Sequence, residues 1–161
     1  VGEPFGMIIT ASGVFRARRI DAGLLNAGSD FDGTTTPFAA GLGSFVDFEG
    51  GDFIGRAALL EADRSCRTWG LRTNGGVADL GDTLSVEGRP VGRVCSSGWS
   101  PFQQCGVAIG RMDDTTLGPG ASVEVECADR EVRRGELCAL PMYDTERLIP
   151  RGKLVDIPEI R

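Results

Sequence analysis

Asp30 and Asp32 bracket Phe31 in the segment Gly28-Ser29-Asp30-Phe31-Asp32-Gly33 and are the nearest approach in this chain to a paired acid–base couple. Two such carboxylates can divide proton-donating and proton-accepting roles when their surroundings push their pKa values apart. In a glycine-flanked turn the same residues more often accept backbone hydrogen bonds, and both roles stand open. Upstream, Arg16 and Arg19 lie three apart, on one face if the segment is helical, and their planar forks suit a carboxylate ligand. A solvated basic face is the alternative. Trp99, in Ser97-Gly98-Trp99-Ser100-Pro101, carries a ring that could cover a ligand or pack on Pro101 or Phe102.

The chain contains no histidine. Ser-His-Asp and Cys-His nucleophiles, the His-Glu-x-x-His zinc site and a histidine general base are thereby excluded within it. Proton chemistry falls to carboxylates, Tyr143 or backbone groups, so no residue is assigned as catalytic. Five cysteines, Cys66, Cys95, Cys105, Cys127 and Cys138, are odd in number and lack a Cys-x-x-Cys pair, which argues against a disulfide framework and against zinc. Four of the five fall in apolar or strand-like surroundings that suit small core residues.

The composition of the 161 residues, 41% hydrophobic and 25% charged, is that of an ordinary globular domain. A net charge of −6 with scattered basic residues excludes an electrostatic footprint for nucleic acid. Apolar runs fall short of the roughly 18 residues that span a bilayer, and no signal peptide is evident at the start, so a cytoplasmic location with no membrane partner is expected. Lys153 is the only lysine among seventeen basic residues, a bias ascribed to codon composition.

The positioning elements follow from periodicity. Ser12 is expected to cap a helix running through Leu25 and ended by Asn26 and Gly28. Thr34-Thr35-Thr36-Pro37 forces extended backbone, Phe45, Val46 and Phe48 read as a strand, and Asp52 caps a second helix through Ala62. After Asp63 the pattern alternates. Residues 69–73, 83–86, 90–95, 107–112, 122–127 and 131–140 read as strands separated by glycine-rich turns, as in a small antiparallel barrel. The expected fold is therefore α+β: two helices and a short strand over residues 1–63, a barrel of about six strands over 64–146, and an extended tail over 147–161. The first segment is too small for its own core and should dock on the barrel or belong to a larger lobe.

The order of motifs resembles the C-terminal half of the glycine cleavage T-protein family, the tetrahydrofolate-dependent aminomethyltransferases and related demethylases. Arg19-Ile20-Asp21-Ala22-Gly23-Leu24, Gly28-Ser29-Asp30 and Thr35-Thr36-Pro37 match its Arg-Leu-Glu-Ala-Gly-Leu, Gly-x-Asp and Thr-Thr-Pro. Ala40-Gly41-Leu42-Gly43 and the run from Asp52 to Leu59 match its next two blocks. The run from Val91 to Pro101 matches a third, with one extra residue allowed before Ser-Gly.

The resemblance implies that this chain is the C-terminal part or a subunit of an enzyme moving a one-carbon unit from an amine or methylated small molecule to tetrahydrofolate. It also implies a C-terminal barrel. The family's reactive aspartate and main pteridine-binding carboxylate belong to an N-terminal region without counterpart here, so a missing folate-binding region or partner subunit is expected and Val1 fits a processed or alternative start. Arg16, Arg19, Asp30 and Trp99 are the candidate cofactor-binding residues. Phe15 stands where the family has a ligand-holding arginine, which a one-residue shift would supply as Arg16, and Ala27 where it has an aromatic; both suit a divergent relative that demethylates another substrate, or a member with altered folate contacts. The alternatives are a non-catalytic folate- or partner-binding module, or the folate domain of a dimethylglycine or sarcosine dehydrogenase type complex. A module of the kind that assists iron–sulfur maturation is disfavoured, because its Lys-Gly-Cys-Tyr motif is absent.

Overall fold

The computed structural model describes residues 2–9, 11–126 and 131–154. Six strands close an antiparallel barrel: β1 (Thr68–Thr73), β2 (Thr83–Val86), β3 (Arg89–Ser100), β4 (Cys105–Met112), β5 (Ser122–Glu126) and β6 (Val132–Cys138), in the spatial order β1-β4-β3-β2-β5-β6 with β6 returning to β1. Closure leaves no edge strand unpaired. In β5, Val123 and Val125 are buried while Ser122 and Glu126 face outward, the expected alternation. Cys127, the last residue of the expected 122–127 strand, and residues 128–130 before the next strand lie outside the described residues, as does the tail beyond Leu154.

The barrel has its own core. Leu71, Leu84, Val91, Val94, Ala108, Met112, Val123, Val125 and Leu137 are each at most 3% exposed and cluster with Ala78. A second cluster lies on the outer face of β4, where Ile20, Val107, Ile109, Cys138 and Met142 pack together. It joins the barrel to α1 (Ser12–Asp21), which crosses β3 and β4. Gly98 permits the approach, since a Cβ there would lie 3.4 Å from Ala17 Cβ.

A bulge in β3 decides which residues meet the helix. Pairing with β4 shifts register between Val94 and Ser96, so that Val94 opposes Gly110 but Ser96 opposes Ile109. Two residues apart on a regular strand would share a face; the extra residue, Cys95, breaks that rule. Val94 enters the barrel core, whereas Ser96, Gly98 and Ser100 turn toward α1.

Four expected elements are corrected. The first helix ends at Asp21 rather than Leu25, because Gly23 at φ 70° closes it: the Gly23 amide donates to Ile20 O (3.0 Å) and the Leu24 amide to Arg19 O (2.8 Å), a Schellman pairing. Its N-cap position is Ala11, without a side-chain cap from Ser12. The second helix, α2 (Arg56–Glu61), starts behind Gly55, and Asp52 does not cap it. No strand forms at 45–48: Gly43–Phe45 is a 3-10 turn, and Phe48 stacks between Phe38 and Phe53 at centroid distances of 6.5 and 6.3 Å, with the Arg64 guanidinium over both Phe38 and Phe48. β3 runs five residues further than the expected 90–95, since pairing with β4 outweighs the low strand propensity of Ser96, Ser97 and Gly98.

The four described cysteines are free, and Cys95 and Cys138 are buried. Burial pushes all four thiols up, Cys138 to about 11. Folding thus favours the Cys138 thiol over its thiolate. That contribution to stability is fully present below the ordinary thiol pKa of 9.0 and is lost as the pH rises from there through about 11. Urea unfolding between about pH 8 and about pH 10.5 should show stability falling more steeply for the native chain than for Cys138→Ala; equal slopes would refute the assignment.

Candidate functional site

Asp30 is completely enclosed, with 0% of its side chain exposed, and is held from three directions. Its Oδ2 accepts from Arg19 Nη1 at 2.6 Å and from the Asn26 amide at 2.8 Å. Its Oδ1 accepts from Ser96 Oγ at 2.6 Å and from Ser29 Oγ at 3.3 Å. Four donors occupy the lone-pair sites of one carboxylate, leaving none for a substrate proton. Arg19 is similarly committed, its Nη1 also donating to Leu24 O at 3.1 Å. The pair therefore pins the end of α1 and the following turn to β3.

Asp32 points the other way and is exposed. The Thr34 hydroxyl (2.6 Å) and amide (2.9 Å) and the Thr35 hydroxyl (3.2 Å) donate to its Oδ1, and these bonds hold its carboxyl below the usual range. The two aspartates thus serve a turn and a seam and do not form a couple. The Thr-Thr-Pro residues dock the same loop: Arg111 on β4 donates to Thr35 Oγ1 at 2.6 Å, and the Ala39 carbonyl accepts from Thr68 Oγ1 and the Arg67 amide.

Arg16 and Arg19 do share a groove. About 430 Å³ in volume, it runs between α1 and β3 and is lined by Phe15, Asn26, Leu80 and Ser97 among others. Arg16 is exposed there, with no ion pair among the described residues, while Arg19 shows 23% of its side chain. Trp99 is 48% exposed but lies on the face of β3 opposite Ser96, Gly98 and Ser100. Phe102 does not stack on it; that ring sits 5.2 Å from Tyr143. The structure therefore brings Arg16, Arg19 and Asp30 together and leaves Trp99 apart.

A second buried carboxylate was not anticipated from the sequence. Asp21 Oδ2 accepts from Ser100 Oγ at 2.8 Å and Oδ1 from Gln103 Nε2 at 2.7 Å, while Gln103 Oε1 accepts from Arg72 Nε at 2.6 Å. Arg72 also donates to Met142 O, and the Met142 and Tyr143 amides donate to Asp21 O. An acidic residue directly after Ile20, on the buried side of an amphipathic helix, is the signal that could have revealed it.

The weights of these contacts can be separated. Arg19→Met leaves a fully buried carboxylate with neutral donors only and should cost about 3 kcal/mol or more, as when one partner of a buried ion pair is removed. Ser96→Ala removes one charge-assisted hydrogen bond and should cost about 1.5–3 kcal/mol. Urea unfolding measures both, and a loss under about 1 kcal/mol for Arg19→Met would show that the seam contributes little.

Comparison with known proteins accords with this arrangement. Residues 67–144 match the family described as glycine cleavage T-protein C-terminal barrel domain. The chain is 36% identical over 116 residues to dimethylsulfoniopropionate demethylase of Ruegeria pomeroyi, covering 69% of this chain and 32% of the relative. It is 31% identical over 144 residues to the aminomethyltransferase of Halothermothrix orenii, covering 87% of this chain and 40% of the relative. It thus spans about a third to two fifths of the length of these curated relatives. The crystal structure of the glycine cleavage system aminomethyltransferase T from Bartonella henselae superposes with a TM-score of 0.69 at 28% identity, over 81% of this chain and 38% of the other. Through its closed barrel and the helix docked on it, the chain belongs to the glycine cleavage T-protein family as a C-terminal portion.

Proposed function

We propose that this chain forms the C-terminal part of a tetrahydrofolate-dependent aminomethyl- or methyltransferase that takes a one-carbon unit from an amine or methylated small molecule. The observation that carries the reading is the Arg19–Asp30–Ser96 seam: residues of the helix and turn motifs bind directly to a strand of the family's barrel. We divide the chain into 1–63, the end of a folate-binding lobe, 64–146, the barrel, and 147–161, a tail, and place the protein in the cytoplasm. Among the described residues no helix is long and apolar enough to cross a membrane.

The side chains present suit one end of the cofactor. Tetrahydrofolate supplies the nitrogen that accepts the one-carbon unit, and its glutamyl end carries carboxylates. Arg16, exposed in the groove beside Phe15 and Leu80, fits such a carboxylate, with Arg19 held behind it by Asp30. A pterin ring presents neighbouring N–H donors that call for a free carboxylate. Asp30 has all its acceptor sites filled and Asp21 is buried with each oxygen already bonded, so we assign that contact to the absent folate-binding region. Phe5, Met7, Ile8, Ile9, Val14 and Phe15 are each more than half exposed, an apolar surface of the kind an absent lobe or partner subunit covers.

Titration of the isolated chain with a reduced folate should give binding weaker than about 100 μM, if any; stoichiometric micromolar binding would overturn this division of the site. The reading as a whole is tested by expressing the chain with whatever its reading frame encodes upstream of Val1. Methylated amines and sulfonium compounds are then supplied and the one-carbon adduct of tetrahydrofolate is followed by NMR. Failure to form an adduct from any donor would remove the transferase assignment.

A further inference from the structure

Arg18, between the two arginines of the groove, faces elsewhere. Its guanidinium carbon lies 4.1 Å from the centroid of Phe102 and 5.9 Å from that of Tyr143, so two rings fix its plane. Its Nη1 is buried and has no hydrogen-bond partner, the only arginine terminal nitrogen in that condition among the described residues. An unpaired buried donor is destabilising until an acceptor meets it. A family of contacts that holds such a donor rigidly without satisfying it is a preorganised half of an ion pair.

Arg18 forms part of the wall of a crevice of about 370 Å³ between the end of α1 and the loop that follows β6. Leu24, Pro141, Ile149 and Pro150 make the rest of the wall largely apolar, and Arg147 stands at it with a second positive charge. Two aspartates are also present, but neither competes for Arg18. Asp21 is taken by Ser100 and Gln103, and the Asp144 oxygens accept from the Leu148 amide at 2.8 Å and the Ile149 amide at 2.9 Å. Neither forms an ion pair with Arg18 or Arg147 among the described residues.

We infer that this crevice is a binding site for a small carboxylate with an apolar body, the carboxylate seated on Arg18 and the body against Leu24, Pro141 and Ile149. A planar guanidinium fork matches a carboxylate, and the apolar wall suits an organic body attached to it. The site is separate from the Arg16 groove, because Arg16 and Arg18 project from different sides of the helix. The apolar lining favours a short aliphatic or aromatic acid over a strongly hydrated polyacid.

The test is titration of the 161-residue chain with butyrate, benzoate and γ-glutamylglutamate, read by calorimetry and by perturbation of Tyr143 resonances in NMR. Binding of butyrate or benzoate with Kd near about 1 mM, which is usual for one charge-assisted anchor and a few apolar contacts, is expected. Arg18→Met keeps the length and apolar bulk of the side chain and should weaken it by about tenfold or more. Arg16→Met should leave it unchanged. Arg147→Gln, at an exposed position that does not threaten folding, should weaken it about two- to fivefold through loss of the second charge. Tighter binding of γ-glutamylglutamate with loss in Arg18→Met would identify the tail of a folate as the source of the carboxylate. No binding of any probe at about 10 mM, or binding indifferent to both Arg18→Met and Arg147→Gln, would overturn the site. These readouts use no folate-dependent turnover, so they stand or fall apart from the transferase assignment.

Discussion

The enclosed carboxylate of Asp30 constrains the rest of the α1 side of the molecule. A carboxylate moved out of water incurs a penalty of several kcal/mol that only a well-placed cation and a full set of donors can offset. Arg19, the Asn26 amide, Ser96 and Ser29 supply that set, from a helix, a turn and a strand. Any large shift of α1 along β3 would leave the charge uncompensated, so the seam fixes the helix in both position and rotation. Once its rotation is fixed, the direction of every other side chain on it follows. Ala17 and Ile20 face the barrel, Arg16 the groove beside β3, and Arg18 the rings of Phe102 and Tyr143.

The apolar contacts could not have produced this alone. Ile20, Val107 and Ile109 form a small cluster that would tolerate a sliding helix, since hydrophobic burial is non-directional. The bulge at Cys95 supplies direction by turning Ser96 and Ser100 outward, where each meets a buried aspartate. Those two aspartates, nine residues apart, bind hydroxyls four residues apart on one strand. Asp21 and Asp30 thus clamp the helix end at two points, and Gly98 between the two serines lets Ala17 come close.

Much of the barrel could be read from the chain because each strand carries a local signal. Thr83–Val86 was expected with the observed bounds, and Ser122–Glu126 alternates strictly. What escaped was decided by distant partners. The Ser96–Ser100 part of β3 has weak strand propensity and is extended only because residues 105–109 pair with it. Phe45, Val46 and Phe48 have the composition of a strand, but Phe38, Phe53 and Arg64 draw Phe48 into an aromatic cluster instead. Leu24 and Leu25 continued the apolar period of α1 past Gly23, whose left-handed backbone ends it. The candidate site was legible as a set of residue types, including Arg16, Arg19 and Asp30. Asp30 as the centre of a seam was not, since Ser96 stands sixty-six positions away.

The barrel itself is poorly suited to chemistry, and this locates where chemistry must be sought. Its interior is filled by Leu71, Leu84, Val94, Val125 and Leu137, each 0% exposed, so no ligand enters it. All six strands are paired on both sides, so no extended segment can add to an edge. Function is left to the outer face of β3 and β4 and to the helix laid across it. There the charged groups divide into two kinds. Asp21, Asp30 and Arg19 are bonded within the chain and act as fasteners, whereas Arg16 and Arg18 retain donors without acceptors among the described residues. The acids on this face are thus spent on rigidity, while Arg16 keeps its donors at the surface of the groove and Arg18 is held against two rings, so recognition by this face rests on cations and not on its carboxylates.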